Sequence, residues 1–141
     1  MVLASAAGLA GAVQAAVMGE LGDRVGIVPA VALSVIVSLV CGLTALLVWE
    51  HGFGGVRTAL HEPAWLWLGG VMSVFIVFAV TVGPPRIGVT ATVATVIAGN
   101  LVSAAVIDRF GLFGVQRVAL GWPRVFGFLL LAAGAALTLR R

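Results

Sequence analysis

The sequence predicts an all-α membrane protein with five transmembrane helices. Apolar residues make up 62% of the 141 positions and charged residues only 9%, whereas soluble domains average roughly 45–50% and about 25%. The mean hydropathy is +1.21. The apolar runs are long and do not alternate with a period of two, which favours helices over the strands of an outer-membrane barrel.

Charges, Gly/Pro clusters and tryptophans divide the chain into apolar stretches near the roughly 17–25 residues that a crossing helix needs. The first span ends at the acidic segment 20–24, and the second at residues 50–52. The third is entered through Pro63, the fourth closes at Asp108, and the fifth is entered through Pro123. The predicted spans are about 2–19, 25–49, 64–82, 87–107 and 124–139, which together make residues 1–141 a single transmembrane domain.

Two of the segments between predicted spans have sequences that predict their local structure. The segment Gly83-Pro84-Pro85-Arg86 predicts a tight, rigid turn between the third and fourth spans, because proline fixes φ and lacks an N–H. The alternative is a broken helix that aims an N-terminus at a substrate. Segment 111–122 is too short to cross the membrane and is interpreted as an interfacial loop or a short surface helix.

The arginines predict the orientation. All eight cationic residues are arginines, and five spans place four on each membrane face, so the positive-inside rule has no bias to act on. We therefore expect dual topology and an antiparallel homodimer; the alternative is one orientation set by a dominant loop. The face that holds the N-terminus has Arg57, Arg109, Arg117 and Arg124 together with all four tryptophans, and the opposite face has Arg24, Arg86, Arg140 and Arg141.

Polar residues within the predicted spans are the candidate substrate ligands, since polar groups in hydrocarbon need partners or water. Gln14 and Asn100 are the two amides, and their estimated depths allow them to share a layer across an antiparallel dimer or to bond within their own bundle. The candidate substrate-binding residues are Gln14, Asn100, Thr92, Thr95, Ser103 and Trp65. Span one also has small residues on two faces, which fits a helix wedged between neighbours or lining a cavity.

The acidic residues all lie near predicted helix ends. Glu20 and Asp108 are the candidates for ion coupling, with solvated end charges as the alternative. Glu20 and Arg24 also have the i,i+4 spacing of an ordinary helix-surface pair.

Several function classes are excluded by what the sequence lacks. The arginines form no basic stripe, so nucleic acid is not an expected partner. No nucleophile–base pair, metal-ligand spacing or phosphate loop is present, so we expect neither an enzyme nor a bound cofactor. The expected partners are a second copy of the chain, membrane lipid and a small-molecule substrate.

Ordered short motifs along nearly the whole chain resemble the YdcZ-type small five-helix branch of the drug/metabolite transporter superfamily. They are Gln14, the segments Ser38–Gly42 (SLVCG), Pro63–Gly70 (PAWLWLGG) and Gly83–Gly88 (GPPRIG), then Thr90, Thr92, Gly99-Asn100, Ser103 and Ile107–Gly111 (IDRFG). The chain departs from the family pattern at Met18, Asn100 and Arg109, so we do not assign a substrate of the family to this chain.

The resemblance implies a multi-pass protein of the bacterial inner (cytoplasmic) membrane that acts as a dimer. The expected function is a small secondary transporter that exports a small metabolite or toxic compound by alternating access. The alternative is a non-transporting membrane subunit, or one half of an oppositely oriented heterodimer.

Overall fold

The computed structural model describes residues 1–49, 54–114, 116–117 and 121–139, and every regular element in these ranges is helical. The all-α prediction is therefore confirmed. The elements are α1 Val2–Val25, α2 Ile27–Trp49, α3 Gly54–Leu60, a 3-10 turn Ala64–Trp67, α4 Leu68–Ile87, α5 Val89–Phe110, a 3-10 turn Leu112–Gly114 and α6 Trp122–Leu139.

Within the described residues, four helical segments are long and apolar enough to cross a membrane: Val2–Val25, Ile27–Trp49, Ala64–Ile87 and Val89–Phe110. They cover the first four predicted spans. α6 covers the fifth with 18 residues, of which Val125–Thr138 form a shorter apolar helix. That α6 crosses the membrane remains a prediction. The predicted loop 50–63 includes a short helix, α3.

The first helix is longer than predicted. Residues 20–24 belong to the last turns of α1, and the chain breaks instead at Gly26, which has φ +93°. The charges do not end the helix because Arg24 donates a 2.7 Å hydrogen bond to Glu20 one turn earlier. A cation in the last turn also complements the helix dipole.

The prediction of a turn at Gly83–Arg86 is wrong, because α4 continues through both prolines to Ile87. Proline φ angles suit a helix, and what proline removes is the N–H that would bond the carbonyl four residues earlier. The break falls at Gly88, with φ +83° and ψ 159°. Gly26 and Gly88 are thus the sole residues between two helix pairs, α1–α2 and α4–α5.

The two junctions share a local sequence, Arg, then Val or Ile, then Gly, then Ile or Val. It reads Arg24–Ile27 at one junction and Arg86–Val89 at the other. In both, the glycine takes a positive φ that is costly for residues with a Cβ. In the predicted topology, in which each of the first four spans crosses the membrane, both junctions fall on the face opposite the N-terminus.

The chain divides into two compact units, residues 17–82 and residues 1–16 with 83–141. In the first unit, Met18, Gly19 and Gly22 of α1 are buried, as are Val80 and Thr81 of α4. Ala30 and Val31 are the buried residues of α2. In the second unit α5 packs against α6, and the buried residues there are Ala15, Ala91, Thr92 and Ala135.

Most of the apolar surface is left uncovered by the chain itself. Only 6% of the α2 span and 17% of the α1 span are buried. The outermost tryptophans lie at helix ends, Trp49 closing α2 and Trp122 opening α6, and both are exposed. Of the arginines counted for orientation, Arg140 and Arg141 lie outside the described residues, and so does the side chain of Arg124.

Candidate functional site

The polar residues of α5 lie on one side of the helix. At about 100° per residue, Thr92, Thr95, Asn100 and Ser103 fall within a sector of about 140°, which we call the α5 polar sector. The alanines that line grooves with α6, Ala94, Ala98 and Ala105, fall on the other side of α5, whereas Val106 and Phe110 line a groove from within the sector. None of the four polar residues lines either of these two grooves.

The inner part of the polar sector is open. Asn100 and Ser103 are both exposed, and an added Cβ at the adjacent Gly99 would meet no atom within 4 Å. Among the described residues, the amide of Asn100 has no hydrogen-bond partner. An exposed primary amide with unused donors and acceptors is suited to bind a polar group of a ligand or of another chain.

The outer end of the polar sector is closed by packing. Thr92 is buried, and its Oγ1 donates a 2.8 Å hydrogen bond to the carbonyl of Gly88. A Cβ placed on Gly83 would lie 2.6 Å from the Thr92 hydroxyl oxygen, so α4 and α5 approach closely at this point. In the single chain Thr92 thus joins two helices. Its role in substrate binding stays a prediction, and it requires Gly83 and Thr92 to separate.

Thr95 lies between these two regions. It is exposed, and its Oγ1 donates a 2.8 Å hydrogen bond to the carbonyl of Ala91. This bond uses the hydroxyl proton and leaves the oxygen lone pairs available. Thr95 can therefore accept a hydrogen bond from a ligand without losing its own.

Gln14 is the corresponding polar residue of α1. It is exposed and has no hydrogen-bond partner among the described residues. It lies about 18 Å along the helix from Val2 and about 16 Å from Val25. Asn100 lies about 16 Å from Val89 and about 15 Å from Phe110. With the observed helix bounds, both amides are near the middle of their spans.

Trp65 belongs to the other unit, in the 3-10 turn before α4. Its side chain is half exposed and already has an interaction within the chain. The position, just after Pro63 and before the long apolar run of α4, is typical of an indole anchored at the membrane boundary. Its stacking on a substrate stays a prediction.

The two candidate ion-coupling carboxylates have different surroundings. Glu20 forms a 2.7 Å ion pair with Arg24, and both side chains are largely exposed. This is the surface pair that their spacing predicts. Asp108 is partly buried in the last turn of α5 and also has an interaction partner. Among the described residues, no group of three or more His, Cys, Asp or Glu side chains is placed to hold a metal ion.

Besides the Gly83–Thr92 contact, sequence reasoning missed a close contact between Gly22 and Thr81. A Cβ on Gly22 would lie 2.8 Å from the Thr81 methyl carbon and 3.6 Å from its carbonyl oxygen. Thr81 is completely buried, with its hydroxyl donating a 2.7 Å bond to Val77. The available signal was the spacing of Ala15, Gly19 and Gly22, which continues the small-residue stripe beyond Glu20.

Long apolar helices, exposed mid-span amides and helix-end tryptophans define a multi-pass integral membrane protein. A family model described as "Putative inner membrane exporter, YdcZ" matches residues 1–137. The chain belongs to this family, so the resemblance seen in the sequence is confirmed. The protein is a multi-pass protein of the inner membrane, in a family of exporters rather than of enzymes.

A relative in Escherichia coli (strain K12) carries the name "Inner membrane protein YdcZ". It is 32% identical over 98 residues, which are 69% of this chain and 65% of the relative. The chain thus spans just under two thirds of that protein's length. No solved structure matches the chain.

Proposed function

We propose that the protein is a small secondary transporter that exports a small metabolite or toxic compound. It works by alternating access as a dual-topology antiparallel homodimer. The exporter family supports the transport class. The homodimer and the binding residues are supported by the arrangement of polar groups described above.

The observation that carries the proposal is the exposure of Gln14 and Asn100 at the middle of apolar helices. A polar group facing hydrocarbon without a partner costs a few kcal/mol, roughly 1–3 by mutational measures. Neither amide has a hydrogen-bond partner among the described residues. A second protein surface, a water-filled cavity or a substrate must therefore face both side chains.

An antiparallel partner is compatible with this position because inversion of a chain keeps its midplane groups at the midplane. Gln14 and Asn100 of two oppositely oriented copies would thus form one polar layer of four amides. Transporters built from inverted repeats bind their substrates near the bilayer midplane, between the two repeats. The arginine balance supplies the second support, since it leaves either orientation equally favoured.

In this dimer, Gln14, Asn100, Ser103 and Thr95 bind the substrate by hydrogen bonds. Thr92 joins them in the state in which the Gly83–Thr92 contact opens, and Trp65 contacts the substrate at the boundary. Glu20 and Asp108 are the carboxylates that exchange a coupling ion. All eight assignments follow from position and chemistry, and each is tested by substitution once a substrate is in hand.

The orientation is tested with C-terminal reporter fusions, one active in the periplasm and one active in the cytoplasm. We expect activity from both fusions of the full chain. Activity from only one would overturn the homodimer of opposite orientations. The remaining interpretation would then be one half of a heterodimer or a non-transporting subunit, and an oppositely oriented partner would be sought.

The polar layer is tested by disulfide trapping in a Cys41→Ser background, since Cys41 is the chain's one cysteine. Gln14→Cys and Asn100→Cys are placed on separately tagged copies and co-expressed. We expect a cross-linked dimer from this pair. The matched control replaces Asn100→Cys with Ala98→Cys, which is at similar depth but lines the groove with α6. Equal cross-linking of both pairs, or none of either, would contradict the polar layer.

Transport itself is tested with cells that express the protein, whose growth is measured in the presence of each of a panel of toxic small molecules. We expect resistance to at least one compound, and loss of it in Asn100→Ala and Gln14→Ala but not in Ala98→Ser. Resistance that persists in both amide variants would remove them from the binding site.

A further inference from the structure

α5 and α6 enclose a second feature that the proposed transport site does not use. It is an open groove of about 250 Å³ within one unit of the chain. The lining residues are Val102, Ala105, Val106, Arg109, Phe110 and Phe128. Arg109 is the one charged member of this set.

The groove is apolar along most of its length and has a cation at one end, so it matches an amphiphilic ligand. Arg109 and Phe110 are in the last turn of α5, and Val102 lies about 10 Å further into the span. The lining is aliphatic and aromatic from Val102 outward, and the guanidinium stands at the end of the helix. Arg109 is exposed and makes no ion pair with a described residue, so its five N–H donors are available to an anion.

We propose that this groove binds one acyl chain of an anionic phospholipid, with the lipid phosphate accepting hydrogen bonds from Arg109. An apolar cavity of about 150 Å³ already holds a benzene molecule, so the groove has room for a longer hydrocarbon segment. Arginine at a helix end lies at the depth of the headgroups, where its planar guanidinium can bond phosphate in a bidentate manner.

The same helix pair offers an internal comparison. A second groove, of about 310 Å³, lies between Ala94–Ala98 of α5 and Leu130–Thr138 of α6. Its described lining residues are all uncharged. These residues can accept hydrocarbon but supply no cation to an anionic headgroup.

A second copy of the chain is the other candidate occupant, and the observations favour the lipid. Asn100 and Ser103, the exposed polar residues of α5 that call for a protein partner or water, are not among the residues that line the groove. The groove around Ala105 is apolar apart from Arg109, so a lipid acyl chain can cover its whole apolar lining. This proposal does not depend on the transport function.

The test uses the purified full chain in detergent, titrated with phosphatidylglycerol or with phosphatidylcholine of identical acyl chains, and binding is followed by native mass spectrometry. We expect phosphatidylglycerol to bind about fivefold more tightly, the ratio that corresponds to about 1 kcal/mol per interfacial cation. Arg109→Gln should remove this preference and Arg109→Lys should largely keep it. Arg57→Gln, on the exposed helix α3, is the charge-matched control and should keep it.

A substitution that fills the groove distinguishes the contribution of the lipid acyl chain from that of the headgroup. Ala105→Phe should lower phosphatidylglycerol binding, whereas Ala98→Phe in the second groove should not. Equal binding of the two lipids by the unmodified chain would overturn the proposal, as would an unchanged preference in Arg109→Gln. Loss of dimer without loss of lipid binding in Ala105→Phe would also overturn it and assign the groove to a second copy. Glycerol phosphate without acyl chains should not compete; full competition would reveal a plain phosphate site.

Discussion

Gly22 and Gly83 differ from Gly11 and Gly99 in their surroundings, although all four are small residues in apolar helices. At the first two, a Cβ would collide with Thr81 or Thr92, whereas at the other two no atom lies within 4 Å. The same small-residue pattern thus marks a helix contact in one place and open surface in another. What distinguishes them is the neighbour across the gap, a buried threonine that bonds its own helix backbone.

The largest expected effect is that of Gly22→Leu. The first added carbon already meets Thr81, and the 3.6 Å approach to a backbone carbonyl leaves little room to shift. We expect a loss of about 3 kcal/mol or more in the free energy of unfolding, the upper end of overpacking costs. Unfolding in detergent measures it. Gly11→Leu is the control and should raise stability by up to about 1 kcal/mol, because leucine favours a helix more than glycine does and no atom lies within 4 Å; equal losses would contradict the distinction between the two glycines.

Gly83→Ala comes next, with an expected cost of about 2 kcal/mol. The clash here is with a side chain, so it can be relieved by substitution. The double variant Gly83→Ala/Thr92→Ala should recover part of the loss, giving a favourable coupling of about 1 kcal/mol in a double-mutant cycle. Additive losses in the cycle would mean that the two residues do not meet.

Gly88→Ala tests backbone conformation alone, since no atom lies within 4 Å of an added Cβ there. With φ +83° and ψ 159°, a region that essentially only glycine occupies, we expect a destabilisation of about 1–3 kcal/mol. Gly42→Ala, in the interior of α2, also has open space and should stabilise the helix by roughly 0.5–1 kcal/mol. Thermal unfolding of both variants in the same detergent would show opposite shifts; shifts of the same sign would contradict the assigned helix break.

The smallest expected effect on stability is that of Glu20→Gln. The Glu20–Arg24 pair is largely exposed, and such i,i+4 pairs contribute only about 0.3–0.5 kcal/mol. Folding therefore stays nearly unchanged while ion coupling, if Glu20 provides it, is abolished. Growth resistance lost in Glu20→Gln but kept in Arg24→Gln would separate coupling from the ion pair. Resistance kept in both would leave Asp108 as the coupling candidate.

Hydropathy and charge predicted the helical class and the position of the apolar spans, because both depend on composition over about 20 residues. They did not predict where the helices end. The charges at Glu20 and Arg24 pair along the helix surface, and α4 continues through Pro84 and Pro85 despite their missing N–H groups, so neither set acts as a break. Gly26 and Gly88 break the helices through backbone conformation, which a reading of polarity does not detect.

The candidate site, too, was predicted from the sequence only in part. The sequence identified the α5 polar sector, because Thr92, Asn100 and Ser103 follow helical spacing within one segment. It did not distinguish Thr92, which is buried against Gly83, from Asn100, which is exposed. Nor did it find the Gly22–Thr81 contact, because that depends on which helices are neighbours and the two residues are far apart in the chain.

The single-residue junctions at Gly26 and Gly88 also determine what the protein presents to the aqueous compartments. In the predicted topology both junctions fall on one face, and no loop separates the helices of either pair, so the described residues there offer little chain to a soluble partner or a protease. The same topology places α3 and both 3-10 turns on the opposite face. An internal cleavage site or an inserted tag therefore belongs in the connections of that opposite face, and in a dual-topology population each compartment would meet those connections on half of the copies.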